Sequence, residues 1–110
     1  MSFKISASPT FERDLKWLSK KYPSLKSDLI DFSKSIIENP FQGDSLRKDC
    51  YKVQMKITPK GKGKSGGSRV IACVKVINEH IKLLTIYDKS ERGTVSDSFL
   101  MQLLHESGLI

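Results

Sequence analysis

The chain reads as an α+β domain with element order βααβββα: an antiparallel β-sheet packed against an N-terminal helical hairpin, with a C-terminal helix closing the fold. Three observations predict this. Two apolar stripes at helical spacing follow one another before Pro40. From Tyr51 the apolar period shortens to two, as in strands. Beyond Ser96 a helical stretch returns. Helices segregated from a run of antiparallel strands define the α+β class.

Each element has a local reason. Phe3 to Ala7 is short and alternating, a first strand. Ser8-Pro9 is a helix start, a capping hydroxyl followed by a proline whose missing N–H costs nothing at the first position. Phe11, Leu15, Leu18 and Tyr22 then form one helical stripe, which Pro23 ends. Leu25, Leu29, Phe32 and Ile36 repeat the spacing in a second helix that stops near Asn39-Pro40. Tyr51, Val53, Met55 and Ile57 alternate with Lys52, Gln54 and Lys56, as in a half-buried strand. Arg69 to Ile77 is β-rich and almost wholly apolar, as a central strand should be. Asn78-Glu79 marks a turn, Ile81 to Tyr87 returns, and Asp97 to Ser107 reads as the closing helix with Gly108 as its C-cap.

The 110 residues form one domain, 1–110, long enough to bury a core without staples. No apolar run approaches the roughly 20 residues of a membrane span. The N-terminal MSFKISASPT lacks the apolar core of a signal peptide, so cytoplasmic residence is the expectation. Cys50 and Cys73 lack CxxC spacing. Cys73 lies in an apolar run and reads as a reduced core thiol, whereas Cys50 is a candidate for exposure.

Nineteen Lys and Arg against 12 Asp and Glu give a net charge of +7, which points to a polyanionic partner if the charge is clustered. It is clustered. Arg47, Lys48, Lys52, Lys56, Lys60, Lys62, Lys64 and Arg69 share residues 47–69 with one acid, Asp49. Within this patch PKGKGKSGGSRV, Pro59 to Val70, suggests a phosphate loop. Gly63-Lys64-Ser65 resembles the end of a P-loop, but the glycine required five positions earlier is Thr58. Gly61, Gly63 and Gly66 spell GxGxxG, yet a strand follows instead of the helix whose N-terminus would hold the phosphates. No nucleotide cofactor and no metal motif is implied. The loop reads as a backbone-binding element for nucleic acid, or as a solvated hairpin loop. Gly66-Gly67 permits a close backbone approach, and Arg69 at the strand head suits an exposed phosphate clamp.

A three-residue turn, Asn78 to His80, would set Lys75 against Leu83 and avoid a Lys75–Lys82 clash. It would pair Arg69 with Lys89 and Ile71 with Tyr87, placing Arg69, Tyr87 and Lys89 on one face. Val70, Ala72, Val74, Val76, Leu84 and Ile86 would then gather on the helix-covered face.

KGKGKSGGSRVI at 60–71 and LLTIYDKSE at 83–91, after a helical hairpin ending in ENPFQGD at 38–44, resemble the RelE/ParE toxin superfamily, and its HigB/RelE branch most. The resemblance covers essentially the whole chain. It implies a small basic toxin neutralised by a cognate acidic antitoxin, and a metal-independent endoribonuclease that cuts mRNA at the ribosomal A site. It implies catalytic roles for Arg69 in phosphate stabilisation, Lys64 as base, and Tyr87 and Lys89. It implies RNA binding by Lys60, Lys62, Lys64, Arg92, Arg47 and Lys48. Many members carry a tyrosine near the start of the last helix. Here Val95 and Ser96 fill that region, and Tyr87 comes earlier. His80 and His105 read as surface residues. The competing readings are a ParE-like toxin that inhibits gyrase and an inactive basic module that binds nucleic acid or antitoxin.

Overall fold

Helix α1, Pro9–Lys21, starts where its capping residues place it. The Ser8 hydroxyl accepts a hydrogen bond from the Phe11 amide at 3.1 Å, and Pro9 stands at the helix start. Phe11, Leu15, Leu18 and Tyr22 turn to the core, and Leu25, Leu29, Phe32 and Ile36 of α2, Leu25–Glu38, meet them there. The computed structural model describes residues 3–58 and 66–110. Its other elements are β1 Lys4–Ala7, β2 Asp44–Ser45, β3 Cys50–Met55, β4 Ser68–Lys75, β5 His80–Asp88 and α3 Asp97–Glu106.

The strands make one sheet in the order β1-β5-β4-β3-β2. Strands β2 to β5 are antiparallel, as expected, but β1 runs parallel to β5, so the sheet is mixed. The direction of β1 is set by its ends. The Lys4 amide donates to the Glu79 carbonyl at 2.8 Å, and the Ser8 amide donates to the Leu83 carbonyl at 2.9 Å. Strand β1 reaches only as far as Leu83, which leaves the outer edge of β5 beyond it to α1. There the Thr85 hydroxyl donates to Asp14 at 2.6 Å. The short β2, absent from the expected order, is a two-residue pairing with Tyr51 and Lys52.

The β4–β5 register corrects the expected one. Arg69 lies opposite Tyr87, Ile71 opposite Thr85 and Lys75 opposite His80, not opposite Lys89, Tyr87 and Leu83. Two features cause this. The turn is the four residues from Val76 to Glu79, with Glu79 in the left-handed region at φ 50. A bulge between Ile71 and Ala72 then leaves Leu84 without a cross-strand residue. Lys82 comes to face Cys73, so the lysine pair is avoided by a different route.

The two faces have different covers. Val70, Ala72, Val74 and Ile86 pack against the hairpin, as expected, and Leu83, expected on the other face, joins them. Val76 is exposed in the turn, and Leu84 joins the other face. That other face is roofed by α3. Leu100, Leu103 and Leu104 bury Ile71, Cys73, Leu84 and Tyr87 beneath them. Each leucine contributes about 1.5–3 kcal/mol by leaving water, more than the intrinsic propensity of so short a helix provides. The C-cap of α3 is Ser107, and Gly108, expected as the cap, follows it in the left-handed region at φ 71. Cys50, expected as a candidate for exposure, is fully buried opposite Cys73.

Gly67 explains the glycine pair before Arg69. A Cβ there would sit 2.3 Å from the Met55 carbonyl oxygen and 2.8 Å from the Ile57 nitrogen. The close approach is to the protein's own β3 exit. Gly67→Ala should therefore destabilise the domain by about 1–3 kcal/mol in urea unfolding. Gly93→Ala, where a Cβ meets nothing within 4 Å, should stay within about 0.5 kcal/mol. Equal values for the two would show that β4 does not need its glycine.

Candidate active site

Arg69 and Tyr87 lie opposite each other on the two central strands, and Tyr87 is packed under α3. Arg69 is only 8% exposed and Tyr87 only 9%. The expectation that Arg69 is an exposed clamp is corrected: it heads a strand, but it is buried. One Arg69 Nη donates to the Ser68 carbonyl at 3.2 Å. Removing this side chain would disturb packing as well as charge.

The Tyr87 hydroxyl is buried and has no hydrogen-bond partner among the described residues. Burial pushes its pKa above the ordinary tyrosine value, against a downward pull from Arg69 and Arg92. The phenol is therefore a proton donor at neutral pH. The Arg92 guanidinium lies 4.0 Å from the centroid of Phe99 and 5.9 Å from that of Tyr87. Arg69, opposite Tyr87 in the sheet, and Arg92, over its ring, thus gather near a hydroxyl that has no partner among the described residues, an arrangement suited to an anion that develops charge and needs a proton. Beside it a cavity of about 290 Å³ opens between α1 and α3, lined by Arg13, Trp17, Tyr87, Arg92, Phe99 and Gln102 among others.

Asp88 positions the turn that carries Lys89 and Arg92. It is fully buried, and it accepts from the Tyr22 hydroxyl at 2.8 Å, the Ser90 amide at 3.0 Å and the Ser90 hydroxyl at 2.9 Å. The residues on both sides of the 59–65 stretch are likewise hydrogen-bonded. Before it, Asp28 accepts from the amide and hydroxyl of Thr58. Burial alone would raise the Asp28 pKa, but the Thr58 and Ser24 hydrogen bonds and Lys56 bring it below the ordinary aspartate range. Its contribution to stability is present above about pH 3.9 and is lost as pH falls through the lowered folded value. After the loop, the Gly67 carbonyl accepts from the Lys89 amide at 3.2 Å.

Of the residues expected to act together, Arg69, Tyr87 and Arg92 are brought together. Lys89 follows β5 as an exposed residue beside Gly67, not as a ladder partner of Arg69. Arg47 and Lys48 lie at the opposite end of the central strands. Lys48 adjoins Cys73, four residues along β4 from Arg69, or about 13 Å. Arg47 there pairs with Asp97 at 2.9 Å. Lys60, Lys62 and Lys64 lie outside the described residues. His80 bonds Ser6 at 2.7 Å at the far end of β5, and His105 is exposed on α3. Neither histidine approaches the group, as expected.

Sequence reasoning missed Asp28, Asp88, Trp17 and Phe99. The two aspartates left signals. Asp28 interrupts an apolar stripe between Leu25 and Phe32, and Asp88-Lys89-Ser90 has the spacing of an Asx turn. Trp17 and Phe99 gain their place only from the packing of α1 and α3 around the same strand.

No family model matches the chain. Its fold is similar to that in the toxin–antitoxin complex RelBE2 from Mycobacterium tuberculosis, with a TM-score of 0.58 and 15% identity over 80% of this chain and 99% of that one. It is also similar to the E. coli toxin RelE, solved as a double arginine-to-alanine mutant in the free state. That match has a TM-score of 0.59 and 18% identity over 98% of this chain and 96% of that one. The chain has the RelE fold.

An unpartnered buried hydroxyl destabilises its own protein. Tyr87→Phe should therefore leave the fold unchanged and raise its stability by roughly 1 kcal/mol in chemical denaturation. A loss of stability instead would mean that the hydroxyl has a partner in solution.

Proposed function

We propose that the chain is the toxin of a type II toxin–antitoxin pair and cleaves mRNA on the ribosome, which inhibits translation. The observation that carries this reading is the gathering of Arg69, opposite Tyr87 in the sheet, and Arg92, over its ring, around the protonated phenol. A fold similar to that of proteins described as toxins supports it. So does the basic sequence around Arg69.

In this reading the ribose 2′-oxygen attacks the adjacent phosphorus and the bond to the 5′-oxygen breaks. Arg69 and Arg92 neutralise the charge gathering on the pentavalent phosphorus. Tyr87 gives its proton to the departing 5′-oxygen. Lys64 is the candidate base, and Lys89 adds positive charge at the rim. Lys60, Lys62 and Lys64 hold the RNA backbone, and Arg47 and Lys48 extend the basic track to the far end of the sheet. The group draws on no cofactor. The partners are mRNA, the ribosome at its A site, and a cognate acidic antitoxin whose charge complements the +7 chain. Cytoplasmic residence accompanies this reading. No helix among the described residues is long and apolar enough to cross a membrane.

Mapping mRNA 5′-ends after induced expression tests the reading. New ends in phase with codons are expected. Growth arrest without such ends, but with gyrase-linked DNA breaks, would favour the ParE-like alternative. Binding without either effect would favour the inactive module. Arg69→Lys keeps a cation of similar length and loses the planar fork. It should stay folded by circular dichroism and lose roughly 10²- to 10³-fold in cleavage, by analogy with the loss of one oxyanion donor. Full cleavage by that variant would take Arg69 out of the mechanism. Replacing Lys60, Lys62 and Lys64 together by alanine should flatten the salt dependence of RNA binding. An unchanged slope would leave the loop without a backbone-binding role.

A further inference from the structure

The two cysteines are 23 positions apart in sequence and directly opposite in the sheet, Cys50 on β3 and Cys73 on β4. The hydrogen bonds around them define the kind of pairing. The Val74 amide donates to the Asp49 carbonyl at 2.9 Å, so the interstrand bonds lie beside the pair and not within it. The amide and carbonyl of Cys50 turn instead toward β2, to Arg47 at 3.2 Å and Leu46 at 2.7 Å. A pair of this kind holds its Cα atoms about 4.5 Å apart with the side chains close together, inside the range a disulfide spans.

The sulfurs share one acceptor. The Cys50 and Cys73 thiols lie 3.4 and 3.8 Å from the Lys48 carbonyl oxygen. Both thiols are free and fully buried. Lys48 and Asp49 hold the turn above them in the left-handed region, at φ 58 and φ 62, which neither side chain favours. Two ion pairs pin that turn, Asp49 to Lys75 at 3.1 Å and Arg47 to Asp97 of α3 at 2.9 Å. Lys48 and Leu100, which adjoin the thiols, also line a cavity of about 310 Å³ with Arg47, Asp97 and Met101. The buried pair is therefore close to a route from solvent beneath the start of α3.

We propose that Cys50 and Cys73 form a dithiol modification site that a low-molecular-weight disulfide oxidises to a cross-strand bond. The pair stands independently of the nuclease reading. Cys73 is held below the ordinary thiol range by its hydrogen bond with Cys50, against burial and with help from Lys75. Cys50 is held above that range by the same bond and by burial. The Cys73 thiolate attacks one sulfur of the oxidant and releases the other half as a thiolate. Once Cys73 is capped, Cys50 gives up its proton and attacks the Cys73 sulfur, releasing the second half. Two protein S–H bonds break and one S–S bond forms. The oxidant gains two electrons and the two protons, and leaves as two thiols. Oxidation staples β3 to β4 and closes the chain between them into a loop that carries Lys60, Lys62 and Lys64. It also removes both donors from the Lys48 carbonyl and so loosens the turn that carries Arg47 and Lys48.

Oxidised glutathione added to the folded, reduced protein tests this, read by thiol titration and by peptide mass mapping without reductant. Both thiols should disappear together, giving a monomer lighter by two hydrogens with Cys50 joined to Cys73. Dithiothreitol should restore it, and amide exchange at Lys48 and Asp49 should speed up in the oxidised form. Cys50→Ala should convert the product into a stable glutathione adduct on Cys73, with circular dichroism confirming the fold. Separate adducts on both cysteines of the unmodified chain would overturn the proposal. So would an intermolecular dimer, or a cross-link that forms only at the rate of global unfolding.

Discussion

The side chain that has no cross-strand residue, Leu84, decides where everything else on β5 points. Alternation along a strand is strict, and Ile81 and Leu83 face the helical hairpin. An unbroken strand would send Tyr87 to that same core. The bulge shifts the period by one residue, so Ile86 still meets the hairpin while Tyr87 crosses to the face of Arg69. The lost ladder pairing is offset locally. Leu84 is fully buried under α3, and its carbonyl accepts from the Ser8 hydroxyl at 3.1 Å. Ser8 thereby serves the helix and the bulge at once, since the same hydroxyl caps α1.

From that arrangement follows the character of the candidate site. Arg69 sits in a place that packing defends, and a guanidinium enclosed by protein acts with less screening than one in water. Among the described residues the buried Tyr87 hydroxyl has no partner, an energetic defect that a structure built for stability alone would remove. A buried hydroxyl that has no partner among the described residues, close to Arg69 and Arg92, makes better sense as part of a functional site than as core. Arg92 and Phe99 make the rim of the site, and the Asp88 turn sets where that rim stands.

Helix α3 joins the two ends of the molecule. Its first residue, Asp97, pairs with Arg47 beside the cysteines. Its last, Glu106, accepts from Thr10 at 2.7 Å where α1 begins. Between these ends its leucines roof both Tyr87 and the thiol pair. A change at either end of this helix is therefore felt along the face that holds Arg69, without any contact to Arg69 itself.

The hairpin, the central strands and the closing helix were legible because their apolar residues recur at periods that local geometry imposes. Phe11 to Tyr22 and Leu25 to Ile36 face the core as their spacing says. The candidate group was legible in type, since Arg69, Tyr87 and Arg92 stood out as basic and aromatic residues around a glycine-rich approach. Three things were not legible: the Arg69–Tyr87 pairing, the roof over it and the contact between the cysteines. Each depends on residues far apart in sequence. Register is chosen by competing turns and bulges that differ little in local preference, and the winner is set by which side chains find a core. Leu84 found its core under α3, and Glu79 accepted a left-handed backbone where its carbonyl met Lys4. By itself the sequence determined which elements form and which faces are apolar, because those are properties of short stretches. Only the tertiary structure decided which residues meet, because burial is shared among stretches that the chain must first bring together.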